Sequence, residues 1–235
     1  MIIHKLIAHH LRAKDDEAFY LLQARDAISW IESKAGKLGK TALDLGCGHG
    51  IFGAELIKRG CQVTFADEGN FLLPEIRSAP FIKINLDRDD IAVLGKYDLV
   101  VCSNVLEHLS KPESFLNAIP AALNDEGLFY LSWTNWLSPW GGHEFSPFHY
   151  LGPRTGHRFF DRISSTPRKH TPYQNLFPTY IGQTLGWIRK QRHLQLVSAA
   201  PRYYPELQFL IKIPILREFV TWNCALLLRK TSRDS

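Results

Sequence analysis

The run Asp44-Leu-Gly46-Cys47-Gly48-His-Gly50 sets a carboxylate two residues ahead of three glycines at alternate positions. Glycines let a backbone turn tightly and come close to a ligand, and a helix starting there offers free N–H groups. A nucleotide-like ligand is the expectation, and the acid at the mouth of the turn suits a cationic ligand better than a pyrophosphate. The same stretch also reads Gly48-x-Gly50-x-x-Gly53, the dinucleotide fingerprint, with Asp67 19 residues after Gly48. An NAD-dependent oxidoreductase is therefore the alternative at this point. Three histidines could move a proton. They are His108, in Asn104-Val-Leu-Glu107-His108, and His143 and His149, in Trp140-Gly-Gly-His-Glu144-Phe-Ser-Pro-Phe-His149-Tyr150. His143 is the first choice as general base, because Glu144 beside it would favour the imidazolium formed on proton uptake. His149 is held in reserve.

Positioning these groups requires strands at regular intervals. Short runs of strand-forming residues recur at 41–45, 62–66, 81–86, 97–102 and 128–133, with helical apolar spacing at 51–59 and 112–123. Strand, helix, strand at this spacing predicts an α/β chain with a parallel, doubly wound sheet. Residues 15–33 predict an amphipathic helix that caps it. The segment 134–178 is rich in Trp, Pro, Gly, His and Arg without a clear period, and reads as a substrate lid. A helix at 179–191 and strands at 194–199 and 221–228 follow. One domain results, with a cap (1–39), a cofactor-binding core (40–135), a substrate loop and helix (136–192) and C-terminal strands (193–235).

Three motifs in order, Asp44-Leu-Gly-Cys-Gly-His-Gly50, Val63-Thr-Phe-Ala-Asp67 and Tyr97-Asp-Leu-Val-Val-Cys-Ser-Asn-Val-Leu-Glu-His-Leu109, resemble those of class I S-adenosylmethionine-dependent methyltransferases. The resemblance spans roughly residues 40–135. It implies a Rossmann-like seven-stranded sheet with the last strand antiparallel, and S-adenosyl-L-methionine as cofactor. It implies that Gly46, Cys47 and Gly48 pack against the methionine moiety and that Asp44 lies near its ammonium. Asp67 would accept the ribose hydroxyls, since a carboxylate can take two hydrogen bonds at once. Asn85, Leu86 and Asp87 would meet the adenine, and Ser103 and Asn104 would flank the methionyl chain and the transferable methyl. Some members hold a divalent metal through Glu-x-x-Glu-His and a later His. Here Glu107 and His108 are kept but Asn104 replaces the first Glu, so no metal is assigned.

Acceptor clues lie further on. Trp133, Trp136, Trp140, Phe145, Phe148 and Tyr150 crowd the start of the lid, and read as the lid's own core or an acceptor wall. Arg154, His157, Arg158, Arg162, Arg168, Lys169 and His170 follow. Residues 1–150 carry 14 Lys/Arg against 19 Asp/Glu, and residues 151–235 carry 14 against 4. Such a basic back suits phosphate, carboxylate, anionic lipid or nucleic acid. A base-methylating tetrad is missing after the fourth strand, so nucleic acid ranks behind a small or lipid-linked acceptor, such as a glycolipid or anionic envelope precursor, methylated on oxygen. Residues 207–217 are apolar but punctuated by Lys212 and Arg217, and either pack on the sheet edge or touch an anionic membrane. Composition is globular, at 45% hydrophobic and 22% charged, with no run long enough to span a bilayer. Four cysteines without a CxxC pair, and no signal-like N-terminus, fit a cytoplasmic protein.

Overall fold

A computed structural model describes residues 16–231. The leader reading of the first residues lies outside them. Seven strands, β1 (Thr41–Leu45), β2 (Gln62–Asp67), β3 (Phe81–Lys83), β4 (Tyr97–Ser103), β5 (Leu123–Thr134), β6 (Leu194–Pro201) and β7 (Asn223–Lys230), form one sheet. Their order is β3-β2-β1-β4-β5-β7-β6. The pairs along β3-β2-β1-β4-β5 are parallel, and β7 runs antiparallel between β5 and β6. The expected seven-stranded sheet with its last strand reversed is therefore what forms.

Alternate residues of the central strands serve opposite faces, as the pleat dictates. Leu43, Leu45, Val100, Cys102, Phe129 and Leu131 enter one core, and Ala42, Leu99, Val101, Leu128 and Tyr130 enter the other. Both faces are covered, which is why these strands read as nearly unbroken apolar runs. Helix α1 (Asp16–Ala35) lays Ala24, Ala27, Ile28 and Ile31 on the second core, beside Phe52 and Leu56 of α2 (Ile51–Lys58). Arg25 Nε donates to the buried Glu55 at 2.9 Å and ties the two helices together. Helix α3 (Pro112–Ala118) continues as a 3-10 turn into β5.

The segment read as aperiodic contains a helix, α4 (Pro153–Ile163). Its core-facing side is small: Gly156 is its buried residue, and an added Cβ there would stand 2.1 Å from the Phe148 carbonyl oxygen. Helix α5 (Ile181–Lys190) precedes β6, and the short α6 (Leu216–Val220) precedes β7.

Candidate active site

The Gly-rich turn leaves β1 at its carboxyl end, where ligands of open α/β sheets bind. Gly46 N and Cys47 N both donate to the Ala66 carbonyl, at 2.8 and 3.2 Å, holding the turn against the end of β2. Gly48 N donates to Asp67 Oδ2 at 2.8 Å. Gly46 and Gly48 have left-handed φ of 70° and 51°. A Cβ on Gly46 would stand 2.4 Å from Val105 Cγ2, whereas one on Gly48 would meet nothing within 4 Å. Gly46 is thus required by packing as well as by its φ, and Gly48 by its φ, with open space ahead of it.

That space is a cleft of about 630 Å³ lined by Asp44, Gly46, Cys47, Gly48, Ser103 and Asn104, all singled out in the sequence. It is also lined by Lys169, one of the basic residues noted there as an acceptor clue, and by residues that were not noted, chiefly Tyr20 of α1, His49, Leu73 and Arg202. Asp44 Oδ2 accepts the Gly53 amide at 2.8 Å in a buried position. Burial pushes its carboxyl up to about 7 against that hydrogen bond, and the Asp67 charge adds to the rise. A buried carboxylate so disfavoured is poised to receive a cation. Burial, with the Asp44 and Asp67 charges, also pushes the Cys47 thiol up, so it is an inert wall.

Asn104 has φ 58°, uncommon for a residue other than glycine. Its Oδ1 accepts from Arg202 Nη1 at 3.2 Å and from Asn223 Nδ2 at 2.8 Å. The strained turn after β4 is thereby held by the ends of β6 and β7. Arg202 is buried, also donates to Ser132 Oγ at 3.1 Å, and keeps its Nε without a partner.

Some sequence candidates fall elsewhere. Asn85, Leu86 and Asp87 do not line the cleft: Asn85 Nδ2 donates to Glu68 at 2.5 Å, and Asp87 Oδ1 accepts from the amide and hydroxyl of Ser110. His149 is completely buried with Nε2 on the Ser138 carbonyl at 3.0 Å, so its ring is packing inside the lid. Glu144 forms no hydrogen bond with His143, and its charge offsets only part of what lowers that ring's pKa. Its carboxylate is taken by His170 Nδ1, at 2.8 and 2.9 Å. Burial, with His170 and His108 close by, drives His143 down to about 4, which makes it a weak base. Of the six aromatics, Trp133, Trp136 and Phe145 are buried, Trp140 packs edge-on against Trp222, and none lines the cleft. Trp136 and Phe145 form the lid's own core, whereas Trp140 and Tyr150 stay exposed.

Gly50 and Gly53 serve packing as well. A Cβ on Gly50 would strike Leu72 and Ile76, and one on Gly53 would lie 2.2 Å from Phe65. Gly50, the glycine whose backbone would have to approach a pyrophosphate, is therefore turned into the core, which argues against the oxidoreductase alternative, while the packing of Gly53 on β2 suits either reading.

A family model described as a methyltransferase domain matches residues 18–167. An uncharacterized methyltransferase of Mycobacteroides abscessus is 30% identical over 244 aligned residues, covering 95% of this chain and 92% of its own length. Among solved structures, an S-adenosylmethionine dependent methyltransferase from Mesorhizobium loti superposes with a TM-score of 0.57 at 18% identity, over 87% of this chain and 97% of that one. The 1,6-didemethyltoxoflavin-N1-methyltransferase of Burkholderia thailandensis, with bound 1,6-didemethyltoxoflavin and S-adenosylhomocysteine, gives a TM-score of 0.56 at 18% identity, over 89% and 79%.

Proposed function

The chain belongs to the class I S-adenosylmethionine-dependent methyltransferases, and from that premise we propose that it methylates an oxygen of a small or lipid-linked anionic acceptor. The observation that carries this reading is the polarity of one cleft. Its lining brings Asp44, beside the glycine turn that Asp67 closes, together with Lys169 and the buried Arg202.

Bound there, S-adenosylmethionine supplies a methyl group on a sulfonium, whose C–S bond breaks as the acceptor's O–C bond forms. The chain's own work is alignment. Asp44 faces the donor's ammonium, and the lone pairs of Asp67 left over from Gly48 N and Glu68 N take the ribose hydroxyls. Ser103 and Asn104 border the path of the methyl. Lys169 and Arg202 draw a carboxylate or phosphate of the acceptor to the opposite side. A carboxylate acceptor would need no base, and a hydroxyl would give its proton to solvent. The cap helix reaches the cleft through Tyr20, which supports treating residues 1–235 as one working domain.

A small acceptor is favoured by the Burkholderia neighbour, which holds one beside S-adenosylhomocysteine. Nucleic acid ranks lower because no base-methylating tetrad follows β4; of the fourteen C-terminal cations, Arg168, Arg217, Arg229 and Lys230 pair with carboxylates. Calorimetric titration with S-adenosylhomocysteine tests the donor half of the reading. Asp67→Ala should weaken binding by about 1.5–3 kcal/mol, the worth of hydrogen bonds to a charged group, or roughly 10- to 150-fold. Labelled-methyl transfer onto carboxylated, phosphorylated and glycolipid acceptors tests the other half. Base-stable label on RNA or DNA alone would overturn it.

A further inference from the structure

Three imidazoles from three separate loops meet beside the carboxyl edge of the sheet. His108 ends the 3-10 turn after β4, His143 begins the one after β5, and His170 lies between α4 and α5. One ring nitrogen from each falls within 4.8 Å of the other two. The ring centroids are 4.5, 5.1 and 5.4 Å apart. Lys169, which precedes His170 in sequence, lines the cleft, whereas the three rings themselves stand outside its lining.

Two of the rings have their tautomers set from outside. His108 Nδ1 is 2.7 Å from the Asn175 carbonyl oxygen, and His170 Nδ1 meets both oxygens of Glu144. Carbonyls and carboxylates only accept, so each Nδ1 carries a hydrogen and each neutral ring bares its lone pair at Nε2. An imidazole that gives one N–H to a carboxylate or backbone carbonyl and turns its other nitrogen inward is the usual arrangement around a protein-bound metal. His143 Nδ1 is buried without a hydrogen-bond partner. Its backbone is held at φ 49°, a conformation that carries the ring into the group.

We propose that His108, His143 and His170 bind a divalent transition cation, zinc by preference. Three imidazoles and no carboxylate select Zn²⁺ over the hard cations Mg²⁺ and Ca²⁺, which take oxygen ligands. Nitrogens on a tetrahedral zinc, at ~2.1 Å from the metal, stand roughly 3.4 Å apart, so the group needs to contract by about 1 Å. Glu107 lies outside the group; its Oε1 accepts the Thr134 amide at 2.9 Å, and its Oε2 is buried without a partner. Three protein ligands leave a coordination position open. Resting on the methyltransfer reading, a metal held there would supply Lewis acidity toward an oxygen of the acceptor.

Untagged full-length protein, stripped with a chelator and dialysed against Zn²⁺, should retain one ion per chain by mass spectrometry of metals. Loaded with Co²⁺, it should show the visible absorption of a tetrahedral site. His108→Ala, His143→Gln and His170→Ala should each lower metal affinity tenfold or more, and Glu144→Gln should cost about 10- to 100-fold through the loss of ring orientation. His193→Ala, an exposed histidine outside the group, should change nothing. Folding of every variant is checked by its thermal unfolding, and S-adenosylhomocysteine is titrated into the same samples. Protein that binds S-adenosylhomocysteine but retains no metal, or whose three histidine variants retain as much as the parent, overturns the site and leaves methyl transfer standing. Protein that binds metal but not S-adenosylhomocysteine supports the site and sinks the cofactor assignment alone.

Discussion

Asp44 shows how one side chain can register its ligand. Its folded pKa of about 7 lies above the ordinary 3.8, so the folded chain without ligand favours the neutral acid. The stability this contributes is fully present below pH ~4 and is lost as pH rises through 7. An ammonium placed against it reverses the preference and expels the proton. Affinity for S-adenosylhomocysteine should therefore climb up to tenfold per pH unit below about pH 7 and level off above it, with proton release on binding. Calorimetry in buffers of different ionisation enthalpy reads that release directly. Asp44→Asn should abolish both the slope and the release, and a parent protein with flat affinity across the range would separate Asp44 from the ammonium. Arg202 matters at the same scale, because it braces Asn104 in its left-handed turn. Arg202→Met should lower the turnover of the methyl transfer more than cofactor affinity, and equal losses in both would deny it that positioning role.

At the scale of elements, Asp98 joins the start of β1 to the start of β4. Its carboxylate accepts from Lys40 N at 2.8 Å, Thr41 N at 3.0 Å and Asn124 Nδ2 at 2.8 Å. The Thr41 amide first, then Asn124, hold its carboxyl down to about 2. A folded pKa below 3.8 contributes stability above pH ~4 that is lost as pH falls through 2. Asp98→Ala leaves those donors unpaired and should cost about 1–3 kcal/mol, visible as a lower denaturant midpoint. Asp98→Asn should remove part of the parent's acid sensitivity, and an unchanged acid transition would mean that other carboxylates govern it. Gly53, one turn into α2, is the point of contact between that helix and β2. Gly53→Ala drives a methyl into Phe65 and should destabilise by about 1–3 kcal/mol through overpacking.

Across the whole molecule, charge and apolar surface gather in the C-terminal third. No helix among the described residues is long and apolar enough to cross a membrane. Between β6 and β7, however, Leu207, Phe209, Ile213, Leu216 and Phe219 are exposed, and Ile215 is 76% exposed. Lys212 lies among them, while Ile211 alone turns into the core. An exposed apolar patch with cationic company fits shallow contact with anionic headgroups, as a lipid-linked acceptor would require. Sedimentation with phosphatidylglycerol vesicles should exceed that with phosphatidylcholine and weaken with salt. Phe209→Ser with Ile215→Ser should reduce it roughly tenfold or more. Equal sedimentation of the double variant would return these residues to the sheet edge.

What the sequence by itself determined follows from parallel βαβ winding, which carries every strand's carboxyl end to the same edge. Asp44, Gly46 and Gly48 at the end of β1, Asp67 at the end of β2, and Ser103 and Asn104 at the end of β4 could thus be grouped from spacing alone, and the resemblance of their motifs pointed to one cofactor. Spacing is silent about which loop folds against which. Arg202 reaches Asn104 from 98 residues away, and His108 meets the Asn175 carbonyl from 67. Glu144, adjacent to His143 in sequence, spends its carboxylate on His170 instead. Neighbours along a chain are fixed by covalent geometry, but a partner for a buried charge or a ring nitrogen is chosen by tertiary packing. The histidine cluster, the basic lining of the cleft and the sealed lid core were decided there.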